Sequence, residues 1–210
     1  MKNLIIIGAG GLGREIYFHA MECNEYNKQF RIKGFIDNNI NSLDNFKDYP
    51  PLLSKIDDYK ISENDVFVCA VGNVSTKKII ISKILIKGGE FISLIHPTAR
   101  IAHDSKIGDG IIIMKRVDLG SNTKIGNYSF IQADSIIGHD SVIGKFVRID
   151  CKVVCVGGII IEDEATIHTS AVISHKVTVG RNAIVGALSL VIRNVKNNTT
   201  VVGNPAIKLM

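Results

Sequence analysis

Residues 131–149 read IQADSIIGHDSVIGKFVRI, and isoleucine occupies every sixth position of this stretch. The step of six continues in both directions without interruption. It meets sixteen apolar residues: Ile101, Ile107, Ile113, Leu119, Ile125, Ile131, Ile137, Ile143, Ile149, Cys155, Ile161, Ile167, Ile173, Val179, Val185 and Val191. A period of six does not fit an amphipathic helix, because 3.6-residue spacing would spread these positions around the whole cylinder. The pattern predicts a parallel β-helix in which short strands meet at a corner every six residues.

Small or β-branched residues follow the apolar positions at a distance of four, from Ser105 to Val195. Three hexapeptides make one coil of 18 residues, so we expect residues 18 apart to stack about 4.8 Å apart in roughly five coils. Glycine directly follows the apolar residue in seven repeats, and we expect these glycines to use positive φ at the corners. They are Gly108, Gly120, Gly126, Gly138, Gly144, Gly180 and Gly186.

The first ~95 residues show a different pattern, in which short apolar runs alternate with helix-like stretches. This alternation is typical of a small βαβ unit with a parallel sheet. The fold class predicted is therefore an α/β, Rossmann-like domain over residues 1–96, followed by an all-β β-helix over residues 97–210. The predicted strands are 4–7, 31–36, 65–71 and 91–95, and the predicted helices are 14–22 and 75–87.

Composition excludes several classes of protein. The formal charge of +5 is spread along the chain, and no run of basic residues indicates binding to nucleic acid or to a membrane surface. No apolar stretch approaches the ~18 residues that a membrane helix needs, and the first apolar run, 4–7, is too short for a signal peptide. We therefore expect a cytoplasmic protein whose four cysteines are reduced.

Three histidines, His103, His139 and His175, lie 36 residues apart in succession. They should share one corner on alternate coils, about 10 Å apart. That spacing is too wide for one metal ion within a single chain, so no metal site is predicted. His139 is the candidate base in the segment 137–140 (IGHD), where the carboxylate of Asp140 beside it can orient an imidazole that acts as a general base.

The N-terminal segment carries a glycine-rich turn from Gly8 to Gly13, between a predicted strand and a predicted helix. Glycines there let the backbone approach a phosphate at the helix N-terminus. Asp37 follows 24 residues after Gly13, near the place where an acidic residue meets a ribose in dinucleotide-binding folds. A tight structural turn is the alternative explanation, and no second domain suited to hydride transfer is recognisable.

Taken together, the two segments resemble the bacterial nucleotide-sugar acetyltransferases and sialic acid O-acetyltransferases, which act in surface-polysaccharide (lipopolysaccharide and O-antigen) and protein-glycan synthesis. The resemblance covers nearly the whole chain and implies a left-handed β-helix and a homotrimer. It rests on the glycine turn 8–13 and on the segments 34–38 (GFIDN), 71–73 (VGN), 95–99 (IHPTA), 138–140 (GHD) and 203–206 (GNPA).

The resemblance also implies roles for particular residues. His139 would be the catalytic base and Asp140 its acidic partner. The nucleotide-sugar pocket would be lined by Gly10, Gly11, Leu12, Asp37, Asn38 and Gly72. The groove for acetyl-CoA, the co-substrate, would lie between neighbouring β-helices and would be bordered by Arg148, Gly157, Ile160, Thr169 and Ala187.

The chain departs from the family pattern at three of these positions. The family often has histidine where this chain has Leu12 and Arg148, and many relatives have glutamate in place of Asp140. Arg148 could still donate a hydrogen bond to the thioester oxygen or meet a cofactor phosphate. The shorter Asp140 side chain could orient the imidazole differently.

The predicted function is transfer of an acetyl group from acetyl-CoA to an amine of a nucleotide-linked deoxysugar, with UDP or dTDP favoured over GDP or CMP. Sugar O-acetylation is the alternative within the same family. Two other classes stay open. One is a γ-type carbonic anhydrase, whose prism also carries histidines 36 apart but which expects a further ligand where this chain has Gly144. The other is a non-catalytic nucleotide-sugar-binding protein.

Overall fold

The computed structural model describes residues 1–209. They form two compact units, residues 1–94 and residues 95–209. No helix in this part of the chain is both long enough and apolar enough to cross a membrane.

The N-terminal unit is built around one parallel sheet. Its elements are β1 Lys2–Ile7, α1 Gly11–Glu22, β2 Phe30–Ile36, β3 Leu52–Ser54, β4 Asp65–Cys69, α2 Val74–Ile86 and β5 Glu90–Phe91. The strand order is β3-β2-β1-β4-β5, which places the apolar strand β1 at the centre. Leu4 to Ile7 are completely buried there, as expected for a strand that is covered on both faces.

The α/β alternation of this unit was predicted correctly, but several boundaries were not. The short edge strand β3 was missed, and the predicted last strand is two separate pieces. Helix α1 begins at Gly11, three residues before the predicted start, although glycine is a poor helix former. Packing explains the glycine at position 13, because a Cβ atom there would collide with the carbonyl oxygen of Gly8.

A buried carboxylate joins three segments of this unit at the amino end of the sheet. Both oxygens of Asp65 are engaged: Lys33 Nζ lies 3.0 Å from Oδ1, while Tyr59 Oη and the Ser62 N–H each lie 2.8 Å from Oδ2. Burial alone would raise the pKa of Asp65, but the hydrogen bonds from Ser62, Lys33 and Tyr59 outweigh it and leave this pKa below its ordinary value of 3.8. The network therefore favours an ionised Asp65.

We expect the substitution Asp65→Ala to lower the free energy of unfolding of the N-terminal unit by about 3 kcal/mol, because it leaves buried donors without an acceptor. Since the folded pKa is lowered, this stabilisation is complete above the unfolded pKa and is lost as the pH falls through the folded pKa. Denaturant titrations followed by helical circular dichroism report on this unit, which contains both helices. Glu90→Ala is the control, since the exposed Lys2–Glu90 pair should contribute less than ~1 kcal/mol. Equal losses of unfolding free energy in both variants would contradict this account. So would a fall in stability at acidic pH that is the same in Asp65→Ala as in the wild type.

The C-terminal unit is a parallel β-helix with three sheets. Sheet I contains β6 Leu94–Ile95, β9 Ile112–Ile113, β12 Phe130–Ile131, β15 Arg148–Ile149, β18 Thr166–Ile167, β21 Ile184–Val185, β23 Thr200–Val202 and β24 Ile207–Lys208. Sheet II contains β7 Arg100–Ile101, β10 Asp118–Leu119, β13 Ile136–Ile137, β16 Val154–Cys155, β19 Val172–Ile173 and β22 Leu190–Val191. Sheet III contains β8 Lys106–Ile107, β11 Lys124–Ile125, β14 Val142–Ile143, β17 Ile160–Ile161 and β20 Thr178–Val179.

The six-residue rhythm corresponds directly to the core of this unit. Fourteen of the sixteen apolar positions are buried, while Ile101 and Ile107 in the first coil are partly buried and pack against the core. Strand pairing follows the 18-residue register, so that Ile137 pairs with Leu119 below it and with Cys155 above it. The predicted parallel β-helix is therefore confirmed. Only the last coil departs from the register, because Ile184 pairs with Thr200, 16 residues later.

The corner glycines have a different role from the one predicted. None of the seven has positive φ; that conformation falls two residues later, as at Asp140 (φ 57°) after Gly138 and Phe146 (φ 57°) after Gly144. The glycines are instead required by close approach of the next coil. A Cβ atom on Gly138 would lie 2.6 Å from the Gly157 nitrogen, and one on Gly144 would lie 2.5 Å from the Asp163 nitrogen.

Candidate active site

His139 projects from the corner formed by residues 138–141, which we call the histidine corner. This corner connects β13 of sheet II to β14 of sheet III. The imidazole lies outside the core, with 63% of its side chain exposed, and Asp140 beside it is 58% exposed. His139 Nδ1 lies 2.7 Å from Asp140 Oδ2. A carboxylate can only accept, so Nδ1 carries the hydrogen and Nε2 has the lone pair that a general base needs.

The backbone at the corner fixes the direction of the Asp140 side chain. Asp140 has a left-handed conformation, with φ 57°, and its N–H donates to the Ser121 carbonyl of the coil below at 2.9 Å. The His139 carbonyl in turn accepts from the Gly158 N–H of the coil above at 2.7 Å. The dyad is therefore tied to both neighbouring coils.

Asn122 completes this arrangement and was not identified from the sequence. Its Nδ2 donates to Asp140 Oδ1 at 2.8 Å, so one oxygen of the carboxylate faces the imidazole and the other faces the amide. The hydrogen bond from His139, followed by that from Asn122, lowers the pKa of Asp140. A lowered pKa keeps the carboxylate ionised and able to accept. The signal was present, because Asn122 precedes Asp140 by one 18-residue coil.

Gly157 lies directly above His139 in the stacking register, and the absence of a side chain there makes room for the ring. A Cβ atom at this position would lie 2.5 Å from His139 Nε2 and within 2.8 Å of two ring carbons. The Gly157 N–H donates to no acceptor within residues 1–209. Gly157 was predicted as a border of the CoA groove; the structure places it against the imidazole.

The predicted nucleotide-sugar residues gather at one edge of the N-terminal sheet. Gly10, Gly11 and Leu12 lie at the start of α1, after β1; Asp37 and Asn38 follow β2; Gly72 follows β4. These three parallel strands are neighbours, so their carboxyl ends meet at the same edge. This is the edge at which open α/β sheets bind ligands.

Asp37 has a contact that sequence reasoning did not foresee. Its Oδ2 accepts from the Ala9 N–H at 2.7 Å, and its Oδ1 accepts from the Asn39 N–H at 2.9 Å. Asp37 thus holds the glycine turn in place, and its two oxygens keep further acceptor capacity for a ligand hydroxyl. Helix α1 starts with no side-chain cap, so its first N–H groups donate to no capping side chain.

The predicted CoA-groove residues fall on two different corners. Gly157 lies one coil above the histidine corner, at the position 18 residues after His139, and Ile160 lies on sheet III next to it. Arg148, Thr169 and Ala187 lie at or beside the corner formed by residues 150–153 and their 18-residue equivalents, which we call the aspartate corner. This corner connects sheet I to sheet II. One chain therefore does not bring the five residues together.

The other histidines have separate environments. His103 and His175 are exposed on the same column of corners as His139, and His96 Nδ1 accepts from the Thr98 N–H at 3.1 Å. His168 Nδ1 lies 2.9 Å from Asp150 Oδ2 at the aspartate corner. Within residues 1–209, no cluster of three or more His, Cys, Asp or Glu side chains is arranged to hold a metal ion.

The cysteines are poor candidates for a nucleophile. All four are free thiols. Burial raises the pKa of Cys69 to about 11 and that of Cys155 to about 12, which disfavours the reactive thiolate. Cys151 is half-buried, and its Sγ donates to Gln132 Oε1 at 3.0 Å.

One family model and two curated relatives match parts of this chain. Residues 3–84 match the family model described as the PglD N-terminal domain. The chain is similar to GDP-perosamine N-acetyltransferase of Escherichia coli O157:H7, with 34% identity over 146 residues, which span 67% of this chain and 66% of that relative. It is also similar to UDP-N-acetylbacillosamine N-acetyltransferase of Bacillus subtilis (strain 168), with 28% identity over 118 residues, 54% of this chain and 52% of the relative.

Among solved structures, WeeI from Acinetobacter baumannii AYE is similar over its full length. The TM-score is 0.86 at 29% identity, and the match covers 100% of both chains. The similarity therefore extends from the α/β unit through the β-helix. The two curated relatives, in contrast, are matched over only about two thirds and one half of their length.

Proposed function

Because the chain belongs to the bacterial nucleotide-sugar acetyltransferases that carry a PglD N-terminal domain, we propose that it transfers acetyl from acetyl-CoA to an amine of a nucleotide-linked deoxysugar. The observation that carries this proposal is the hydrogen-bonded set of His139, Asp140 and Asn122 beside the bare backbone of Gly157. The arrangement offers an oriented base and a space next to it. The two relatives named as N-acetyltransferases support nitrogen over oxygen as the acceptor.

The reaction proceeds by direct transfer. The sugar amine attacks the thioester carbonyl carbon, and His139 Nε2 takes the proton that the amine loses. The tetrahedral intermediate collapses with cleavage of the C–S bond, and the proton passes to the departing thiolate to give free CoA and an acetamide. The Gly157 N–H is a suitable donor for the oxyanion. Asp140 stabilises the imidazolium that exists after His139 has taken the amine proton and before this proton passes to the thiolate.

We further propose that the working unit is a homotrimer, in which a groove between copies combines the two corners. Four apolar side chains with 40–46% exposure surround the histidine corner: Ile136, Val142, Val156 and Ile160. Apolar side chains grouped in this way on a surface are typical of an interface. In such an assembly, Gly157 and Ile160 of one copy would face Arg148, Thr169 and Ala187 of the next across the bound acetyl-CoA.

The double substitution Val142→Asp and Ile160→Asp tests the trimer. The two residues are stacked neighbours on sheet III, so paired carboxylates there should repel any apolar partner. We expect sedimentation to show a trimer for the wild type and monomers for this variant, with at least ~10-fold lower activity. Ile79→Asp, on an exposed position of α2, is the matched control. A wild-type monomer, or an unchanged trimer in the double variant, would contradict the interface.

The N-terminal unit is proposed to hold the nucleotide sugar. We assign it to the Rossmann-like class, with the phosphates at the start of α1 near Gly10 and Gly11 and a ribose hydroxyl near Asp37. The relatives act on GDP-linked and UDP-linked sugars by name, so both nucleotides belong in a test panel together with dTDP and CMP. The left-handed sense of the coil, the cytoplasmic location and the place in surface-polysaccharide synthesis stay predictions.

Release of free thiol from acetyl-CoA, measured across a panel of nucleotide-linked 4-amino sugars, tests the function. One member of the panel should give turnover that the matching hydroxy sugar does not give. Turnover with hydroxy sugars alone would favour the O-acetyltransferase. Tight nucleotide-sugar binding without thiol release would favour a binding protein, and zinc-dependent hydration of carbon dioxide would favour the γ-type carbonic anhydrase.

A further inference from the structure

The aspartate corner contains a buried carboxylate that the proposed reaction has not yet used. Asp150 is only 5% exposed. Its Oδ1 accepts from Arg148 Nε at 2.6 Å and from Gln132 Nε2 at 2.9 Å, and its Oδ2 accepts from His168 Nδ1 at 2.9 Å. The carboxylate is thus held from both sides, by residues one coil below and one coil above it.

This ion pair differs from the others on the β-helix. The aspartates of the Arg100–Asp118 and Arg116–Asp134 pairs have side chains 35% and 32% exposed, and their arginines are 70% and 57% exposed. Asp150 has a side chain 7% exposed, and Arg148 is 29% exposed. An ionised carboxylate is buried at a considerable cost in desolvation unless it is paired and hydrogen-bonded. The extra partners, Gln132 and His168, satisfy this requirement.

The network restrains Arg148 in particular. A free arginine side chain loses rotamer entropy when it binds a ligand. The contact from Nε to a fixed carboxylate removes much of this freedom beforehand. Arg148 is nine residues from His139 and belongs to the same coil, so in a trimer of parallel prisms the two residues of neighbouring copies lie at one level.

We propose that Asp150 is a positioning residue that aims the Arg148 guanidinium at the carbonyl oxygen of the thioester, an inference that rests on the proposed acetyl transfer. Acetyl-CoA extended along the coils toward Thr169 and Ala187 has its thioester at the level of His139 and its phosphates several coils away. Arg148 then serves the acyl end of the cofactor. The guanidinium stabilises the negative charge that develops on oxygen, and Gln132 and His168 keep Asp150 in place.

A double-mutant cycle tests this role. We expect Asp150→Asn to lower kcat about 10-fold in the wild-type background, with a smaller change in KM for acetyl-CoA, and to lower it less than about 2-fold in the Arg148→Ala background. Added guanidinium ion should restore part of the activity of Arg148→Ala but not of the double variant. Asp134→Asn, in the more exposed Arg116–Asp134 pair, is the control and should leave kcat unchanged.

Equal effects of Asp150→Asn in both backgrounds would overturn the proposal, as would rescue of the double variant by guanidinium. Should Asp150→Asn fail to fold, Gln132→Ala and His168→Ala loosen the carboxylate without removing it, and each should lower kcat only when Arg148 is present. If the wild-type protein releases no thiol from acetyl-CoA, both the proposed function and this inference are contradicted. If the wild-type protein is active but the effects of Asp150→Asn and Arg148→Ala on kcat are additive, only this inference is contradicted.

Discussion

Replacing His139 by alanine is expected to lower kcat for acetyl transfer by at least ~100-fold, because His139 Nε2 is the base that takes the amine proton in the proposed reaction. The imidazole is largely exposed and contributes nothing to the core, so the fold and the assembly should survive. Thiol release at saturating substrates measures the loss, and thermal unfolding checks the fold. A loss of kcat at nearly unchanged KM is the expected signature of a group that acts in the transition state.

His103→Ala is the matched control for this experiment. His103 occupies the same outward column two coils below and is exposed. Asp104 follows it, but within residues 1–209 this carboxylate accepts from Ser121 Oγ at 2.6 Å and has no hydrogen bond to the ring like that of Asp140 to His139. Its loss should change kcat by less than about 2-fold, since an exposed surface substitution is usually close to neutral. Near-normal turnover of His139→Ala, or equal losses in the two variants, would show that the base lies elsewhere.

Gly157→Ala is expected to lower kcat by at least ~10-fold through the position of the imidazole. The added methyl would lie 2.5 Å from His139 Nε2, which forces the ring to swing away from the substrate or from Asp140. The ring is an exposed side chain that can move, so the coil itself should remain intact. Activity should therefore fall while the midpoint of thermal unfolding changes by only a few degrees, roughly the effect of 1 kcal/mol or less.

The double variant Gly157→Ala with His139→Ala shows whether the methyl group lowers activity by displacing the His139 ring or in some other way. Once the ring is absent, the methyl has nothing to displace, and the double variant should match His139→Ala in residual turnover and stability. Additive losses would mean that Gly157 acts through the coil or the cofactor alone. Full activity of Gly157→Ala would contradict the geometry of the site.

The C-terminal fold was readable from the sequence because one physical requirement repeats along it. An inward apolar side chain is needed every six residues, and each one from Ile113 to Val191 is buried. The backbone conformation at the corners was harder to predict. The sequence shows glycine at Gly138 and Gly144, but both positive φ and close approach of a neighbouring coil favour glycine, and only the coordinates distinguish them.

The sequence indicated His139 as a candidate base because Asp140 is adjacent to it, but Asp104 is likewise adjacent to His103. The structure distinguishes the pairs, because His139 Nδ1 lies 2.7 Å from Asp140 Oδ2, whereas Asp104 Oδ2 accepts from Ser121 Oγ. Side-chain contacts between residues 18 apart on neighbouring coils were not predicted. Asn122 to Asp140 and Gln132 to Asp150 are both such contacts. In the N-terminal unit no comparable repeat exists, and the contact of Asp37 with Ala9 depends on how β1 and β2 pair.

The most direct test of the account is the fate of the acetyl group in a single-turnover experiment with labelled acetyl-CoA and the nucleotide amino sugar selected from the panel. Direct transfer at the histidine corner predicts one labelled acetyl group on the sugar amine for each CoA released, none on the protein at any time, and no transfer by His139→Ala. Label that appears first on the protein, or sugar acetylation that persists in His139→Ala, would contradict it.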